Sequence, residues 1–450
     1  MKIAIVGAGL AGLSAAYDLL AAGHEVTLCE AGEQTGGLAT GFRDEKWEWP
    51  LEKFYHHIFQ SDKAIIQLVN EIGMRDALFF PRPTTSVMYQ GKIVPFDSPQ
   101  RWITFPGFNL LDVARFGTVS AYLRFSKPWR KLEQETADTW LQKWYGRKIY
   151  ETVWRPLLIG KFGPYYKEVN MAWMWARLHV RSPRLGYFEG GFQAFVDRLT
   201  AVVQERGGEL KLNCPVQAIR PEADGRITVT ADNHLRTYDA CLVTTSPHLF
   251  SKMAPDLPSS YLEQLLKLKS MGAVVITLAL TRPLMPETRT YWLSIPADSP
   301  DKSQNDIPFL ALVEHTNYID RQHYGGDHII YCGDYVKPDH PYMRMSQVEL
   351  QEAFMAALPQ INPDFRPEWV RKSWLFRAAY AQPVPLVNHS HNIPDIRTPI
   401  PGLYFASMSQ VYPWDRGTNY AVQIGRNTAQ LMLDDAAGLP ADERPLKVQM

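Results

Sequence analysis

Cysteine is scarce and carries no pattern. Cys29, Cys214, Cys241 and Cys332 are the four in 450 residues, and none sits in C-x-x-C spacing. Neither a disulfide framework nor a zinc ribbon is expected, and a reduced compartment fits. Charge of one sign is missing too: 47 Lys and Arg balance 47 Asp and Glu, which excludes the basic footprint of a nucleic-acid binder. Long apolar runs are lacking. The strongest candidate, FNLLDVARFGTVSAYLRF, is interrupted by Asp112, Arg115 and Arg124, so no membrane-spanning helix is expected. A secretory leader has no room, because MKIAIVGAGLAG begins a strand at the second residue. Cytoplasmic placement is the resulting expectation. The chain has no internal repeat or low-complexity tract, and the polar tail LPADERPLKVQM after Gly438 is expected to be loose.

What remains is 46% hydrophobic and 21% charged, a globular composition long enough for two or three domains. KIAIVGAGLAGLSAAYDLLAAGHEVTLCE reads as a buried strand, a glycine turn, a helix and a second strand ending in an acid. Gly7 permits the turn, Gly9 lets backbone approach a pyrophosphate, and Gly12 allows close helix-to-strand packing. The helix N-terminus then aims amide hydrogens and positive dipole at phosphate, while Glu30 is placed for a ribose hydroxyl pair. A dinucleotide site follows. Further on, Gly36 and Gly37 of AGEQTGGLATGF form a second glycine turn facing the same pyrophosphate.

With that Gly-Gly the sequence resembles the flavoprotein superfamily of amine oxidases, protoporphyrinogen oxidases, phytoene desaturases and UDP-galactopyranose mutases. The resemblance continues in LGYFEGGFQAFVDRLTAVVQERGGELKLNCPVQAI, in CLVTTSP and in GLYFASMSQVYPWDRGTNYAVQIGRNTA. It implies noncovalent FAD, with the backbone of Val216 holding the adenine and with Gly417, Thr418, Asn419 and Tyr420 forming a helix start that faces the flavin pyrimidine. Ser407 and Met408 stand where many relatives carry Gly-Asp, and Asp415 is a candidate replacement for the missing acid. No cysteine follows Cys332, so the flavin-linking cysteine of some amine oxidases has no counterpart.

The implied fold class is α/β. Residues 1–80, 186–255 and 386–450 would build a discontinuous Rossmann-like FAD-binding domain, and 81–185 with 256–385 a mixed sheet-and-helix substrate domain. Within the latter, residues 124–184 hold thirteen Lys and Arg against five Asp and Glu, and six tryptophans: Trp129, Trp140, Trp144, Trp154, Trp173 and Trp175. Trp140 and Trp144, like Tyr150 and Trp154, are four apart and would share a helix face. Core packing or a substrate lining explains the aromatics; a solvated face, an anionic substrate or an anionic membrane explains the cations. TFPGFNLLDVARFGTVSAYLRF carries the signature either of an amphipathic helix in peripheral membrane contact or of a buried helix.

The pair His56-His57 lies in FYHHIFQSDKAIIQLV. This stretch resembles that of UDP-galactopyranose mutases in which a histidine before Ile-Phe lies beside the isoalloxazine. The resemblance makes His57 the flavin-facing residue and His56 structural, with Ser61 or Asp62 capping the next helix. An imidazole there would exchange protons near neutral pH. Adjacent histidines without carboxylate spacing make a poor metal site, and no metal is expected. Arg177 and Tyr380 complete the candidate catalytic set; Arg155, Arg181 and Arg184 are further candidates for a diphosphate. The expected function is FAD-dependent removal of hydride from a C–H or C–N of a small organic substrate, anionic or lipophilic. The alternatives are a mutase-like flavin-dependent isomerase and a noncatalytic flavin carrier.

Overall fold

The structure is a computed structural model in which residues 1–439 are described. Residues 440–450, most of the tail expected to be loose, lie outside the described residues. Five parallel strands form one sheet in the order Glu209–Lys211, Glu25–Cys29, Lys2–Val6, Ala240–Val243 and Leu403–Phe405. Its centre is apolar on both sides because both sides are covered. Ile3 and Ile5 face a core shared with helices Leu10–Ala21 and Thr418–Ala436, whereas Ala4 and Val6 face one shared with strands Val216–Pro221 and Ile227–Ala231 and helix Pro247–Met253.

Two glycines let the helices come this close. A Cβ at Gly12 would lie 2.0 Å from the Gly7 carbonyl oxygen, and one at Gly425 would lie 2.2 Å from that of Ala11. The first contact seats the N-terminal helix on its own strand. The second seats the C-terminal helix on the N-terminal one, a packing that sequence reading did not single out.

A seven-stranded sheet runs in the order Val370–Pro383, Ser270–Leu280, His328–Val336, Ala311–Glu314, Thr290–Ser294, Thr84–Tyr89 and Lys92–Pro95. Only Thr290–Ser294 with Thr84–Tyr89 pairs parallel. Period-two alternation sorts its side chains. Val275, Tyr291, Val313 and Tyr331 join the core that Ile3 and Ile5 face, whereas Val274, Ile276, Leu312 and Ile330 pack with Leu350 and Phe354 beyond it.

Residues 99–179 are mostly helical, and Trp140, Trp154, Trp173 and Trp175 are buried in their common core, so packing accounts for these rings. Trp144 stays half exposed, and Tyr150–Trp154 is a π-helical turn rather than a regular four-residue repeat. Helix Leu110–Phe125, the segment expected to be amphipathic or buried, is buried along one side only. Phe116 and Leu123 are buried on one side, while Leu110, Leu111 and Phe125 are exposed on the other.

Glu52 marks where the two sheets meet. Its carboxylate accepts from Phe192 N (2.8 Å) and from the Tyr187 hydroxyl (2.9 and 3.0 Å), and Tyr331 Oη donates to its carbonyl (2.9 Å). Burial raises its pKa to about 7. The folded chain therefore keeps a proton that the unfolded chain releases above its ordinary 4.5. This contribution is fully present below the unfolded value and falls as pH rises to about 7, amounting to about 3 kcal/mol. Glu52→Gln keeps an acceptor for Phe192 N. It is expected to flatten the decline of melting temperature between about pH 5 and 8, which thermal unfolding across pH checks against the parent chain.

Candidate functional site

Strand Lys2–Val6 ends in the glycine turn because Gly7 holds φ +101°, where a Cβ would strike Thr244 Oγ1 at 2.6 Å. Gly9 then starts helix Leu10–Ala21 with no side chain capping it. The second turn meets the first: Gly36 N donates to Ala8 O at 2.8 Å, and Gly36 bridges Gly9. A Cβ on Gly9 would meet only the Gly37 Cα, at 3.8 Å. Gly7 and Gly12 are thus fixed by protein packing, Gly37 is held at φ +60° with an added Cβ only 3.3 Å from Gly9 Cα, and Gly9 alone of the four has room beside it. That is the shape of a cradle for a ligand's backbone-facing edge.

Glu30 ends its strand one residue beyond Cys29. Its carboxylate accepts from Ala8 N (2.8 Å) and Gly32 N (2.9 Å), holding the two loops together at the mouth of the cradle. Val216 lies beside it, since Cys214 N donates to Glu30 O (2.8 Å) and Asn213 N to Gly32 O (2.9 Å) just before its strand begins.

At the other end, strand Leu403–Phe405 leads through buried Ser407 to the turn Met408–Gln410 and on to Gly417, where helix Thr418–Ala436 starts without a side-chain cap. Thr418 Oγ1, in its first turn, is buried and has no hydrogen-bond partner. Asn419 behaves differently from its neighbours. Its Oδ1 accepts from Ile65 N at 3.2 Å and so caps helix Lys63–Glu71 from outside. Asp62 occupies that helix's cap position, but its carboxylate accepts from Phe59 N, and Ser61 Oγ donates to Val180 O. Neither caps as expected. Tyr420 stacks on Trp414 with centroids 6.0 Å apart.

The histidine pair is held between elements. Ile58–Phe59 pairs antiparallel with Leu185–Phe188, and Trp292 of the seven-stranded sheet stands edge-on to His57 at 6.3 Å. His56 Nδ1 lies 2.5 Å from Phe54 O, whereas His57 Nδ1 is buried and unpartnered. Burial, with the charges of Arg181, His56, Arg177 and Arg416, lowers the His57 pKa to about 3. Burial takes His56 to about 4. Both rings are neutral near pH 7, so the expected proton exchange around neutrality is corrected to a neutral imidazole that donates or accepts a hydrogen bond.

A cation cluster faces the same space. Asp415 accepts from Arg177 Nη1 (2.7 Å), Trp173 Nε1 (3.0 Å) and Gln382 Nε2 (3.3 Å) and pairs with Lys161 Nζ at 3.6 Å. Despite burial, these partners and Arg416 hold its carboxyl below the usual range. Asp415 is therefore committed to cations. Burial, then Arg177, pulls Lys161 well below its ordinary pKa, and its ammonium lies over the rings of Trp173 (5.4 Å) and Tyr335 (5.3 Å). Arg416 donates to the Tyr335 hydroxyl. Arg181 has no carboxylate within ion-pair distance among the described residues; burial lowers its pKa to about 10, and the charge of Asp97 acts on it in the opposite sense. Lys161, Arg416 and Tyr335 were not singled out in the sequence; the only local hint was a lysine between two glycines in the apolar run LLIGKFG.

The other candidates lie apart. Tyr380 Oη accepts from Ser409 N at 2.9 Å and lies 2.7 Å from Ser409 Oγ, so it holds the turn after Ser407. Arg155 pairs with Glu151 and Arg184 donates to Phe80 O.

Two uncapped helix starts, a glycine cradle and unpartnered buried hydroxyls along one sheet define a protein built around a nucleotide cofactor. The chain belongs to the family described as flavin containing amine oxidoreductase, whose model matches residues 10–433. FAD is its cofactor, and the residues present fit it: the cradle between Gly9 and Gly37 would be filled by a larger side chain, and Ser14 Oγ and Thr418 Oγ1 are buried polar atoms awaiting a partner.

Among solved structures, a protein of Exiguobacterium sp. 255-15 provisionally named protoporphyrinogen oxidase superposes with TM-score 0.75 at 20% identity, over 96% of this chain and 99% of that one. Cyclohexylamine oxidase from Brevibacterium oxydans IH-35A gives 0.74 at 15%, over 97% and 99%. Reduced UDP-galactopyranose mutase gives 0.74 at 16%, over 98% and 95%. These similarities concern the fold. In sequence, the L-amino-acid oxidase of Bothrops jararacussu is 54% identical over 74 residues, 16% of this chain and 15% of that protein. That of Pseudechis australis is 40% identical over 73 residues, 16% and 14%. The chain thus matches only a small part of those relatives' length.

Proposed function

We propose that the protein is an FAD-dependent oxidoreductase acting on a small organic substrate that carries an anionic group, in the manner of the amine oxidase and protoporphyrinogen oxidase branch. The cofactor supplies acceptance of a hydride from a C–H, or a C–H beside nitrogen, in the substrate. Gly7, Gly9, Gly12, Gly36 and Gly37 would hold its pyrophosphate, Glu30 its ribose, Val216 its adenine, and Ser407 with Gly417, Thr418 and Tyr420 its flavin end. The observation that carries the reading is the cluster of cations around His57, namely Arg177, Arg181 and Arg416, with Lys161 beside Asp415; of the acids, Asp415 is committed to its cations and Asp97 acts on Arg181.

Arg177, braced by Asp415 and lying 5.1 Å over the Trp173 ring, would orient the anionic group, and unpaired Arg181 would neutralise it. His57 would offer a neutral imidazole hydrogen bond at the reacting end, and Tyr380 would act through the Ser409 turn. Mixing oxidised protein with carboxylated amines, tetrapyrrole precursors and nucleotide sugars tests the proposal. Bleaching of the flavin absorbance by one of the first two classes, with turnover, is the expected result. The same cation excess suits a diphosphate, so the mutase-like reading remains the alternative. Turnover confined to pre-reduced protein and a nucleotide sugar would establish it instead.

Two expectations concern the cofactor itself. Acid precipitation should release all of the yellow chromophore, as noncovalent binding requires. Gly9→Trp and Gly37→Trp should each yield folded apoprotein, because the indole would occupy the cradle. Flavin absorbance against protein concentration reads both.

A further inference from the structure

We infer that helix Leu110–Phe125 docks the protein on an anionic phospholipid surface. A surface helix ordinarily pairs an apolar inner stripe with a polar outer one. This helix has no polar outer stripe. Its inner side is complete: Phe116 and Leu123 are buried, and the Phe116 ring stacks on Trp154 at 5.7 Å and 4°. Its outer side shows Leu110 (79% exposed), Leu111 (81%), Tyr122 (50%) and Phe125 (82%). Ala114, Thr118 and Ala121, also exposed, fill the helical spacings between them.

The two arginines bordering this stripe are bent away from it. Arg115 donates to the carbonyls of Lys143 and Trp144, and Arg124 to those of Leu178 and His179. Asp112 is taken up in the capping box with Asn109 and in a pair with Lys148. The helix is well formed, so its exposed side is a surface and not an unravelled segment.

Charge decides what covers it. In a chain with no net charge, residues 99–148 hold nine Lys and Arg against four Asp and Glu. Of those acids Glu133 is buried, Asp112 is paired and Asp138 accepts the Tyr150 hydroxyl, which leaves Glu135 as the exposed one. Exposed Arg101, Lys127, Arg130, Lys131, Lys143 and Arg147 remain. An apolar helical stripe with a cationic rim and an aromatic at its edge matches an acidic lipid headgroup layer, with the helix lying in the plane. No described helix is long and apolar enough to cross a membrane. The side of the helix opposite the stripe is tied to the candidate-site helix, since Arg124 is anchored to the end of helix Met171–His179, which carries Arg177.

Cosedimentation of the flavin-loaded protein with phosphatidylglycerol-containing vesicles, in parallel with phosphatidylcholine vesicles, tests the inference. Binding to the anionic vesicles, weakened by high salt, is expected. The double variant Leu111→Glu/Phe125→Glu should lose about tenfold or more in partition while keeping its flavin and melting temperature. A second variant, Lys127→Glu/Arg130→Glu, should weaken binding to anionic vesicles without touching the stripe. No binding to either vesicle, equal binding to both, or an unaffected Leu111/Phe125 variant would overturn it. So would a wild-type dimer that the same variant splits, because the stripe would then be covered by a second copy of the chain.

Discussion

Gly425→Leu is expected to give a protein that folds poorly and carries little flavin. The added Cβ alone would stand 2.2 Å from the Ala11 carbonyl oxygen, and the contact is backbone, which cannot swing aside as a side chain could. Either the C-terminal helix lifts or the N-terminal helix shifts, and both begin at the cofactor cradle. Overpacking of a tight contact costs about 1–3 kcal/mol, and a helix–helix backbone contact belongs at or above the top of that range. Thermal unfolding and the ratio of flavin to protein absorbance should fall together. Gly117→Leu, within a helix where nothing lies within 4 Å of an added Cβ, serves as the control and should retain flavin. A stable, fully yellow Gly425→Leu would show that the two helices do not need their close seat.

His57→Ala should have the largest effect on turnover. The protein is expected to stay folded and yellow, with its flavin spectrum shifted and its rate lowered by about 10² or more, the scale of a lost catalytic hydrogen-bonding or proton-transfer group. His56→Ala should act chiefly on stability, because the His56 ring is spent on the backbone at Phe54. With the His57 pKa near 3, the parent enzyme's kcat/KM should show no inflection from this residue between about pH 5 and 8. Bound anion facing Arg181 would offset the positive charges that depress it, so the complex should titrate at higher pH than the free enzyme. Unchanged spectrum and rate in His57→Ala would make the pair a packing device.

The N-terminal strand, turn and helix were legible because everything they need is local: Gly7, Gly9 and Gly12 state their geometry within six residues. The α/β class and the flavin family followed from such local motifs spread along the chain. What stayed hidden depends on packing between distant segments. Lys161 and Arg416 look like two ordinary surface cations until a helix and a loop bring them, with Arg177, around Asp415. Asn419 is expected at the flavin-facing helix start from its place in a motif, and no motif tells that its side chain also caps a helix from the first fifth of the chain. The tryptophans were legible as core or lining alike, and burial decided for core in four of them.

The parallel sheet is closed by a strand that begins at Leu403, and the helix that lies against the first one starts at Thr418. During synthesis the glycine cradle therefore emerges hundreds of residues before the strand and helix that complete its far end. Between those moments the apolar sides of the first strand and helix wait for partners hundreds of residues away, a long-range dependence that slows folding. Flavin can be locked in only after that later strand and helix have been made. Cells starved of riboflavin should accordingly accumulate a full-length, protease-sensitive chain, and ribosome-bound fragments ending before Leu403 should remain colourless however much FAD is supplied.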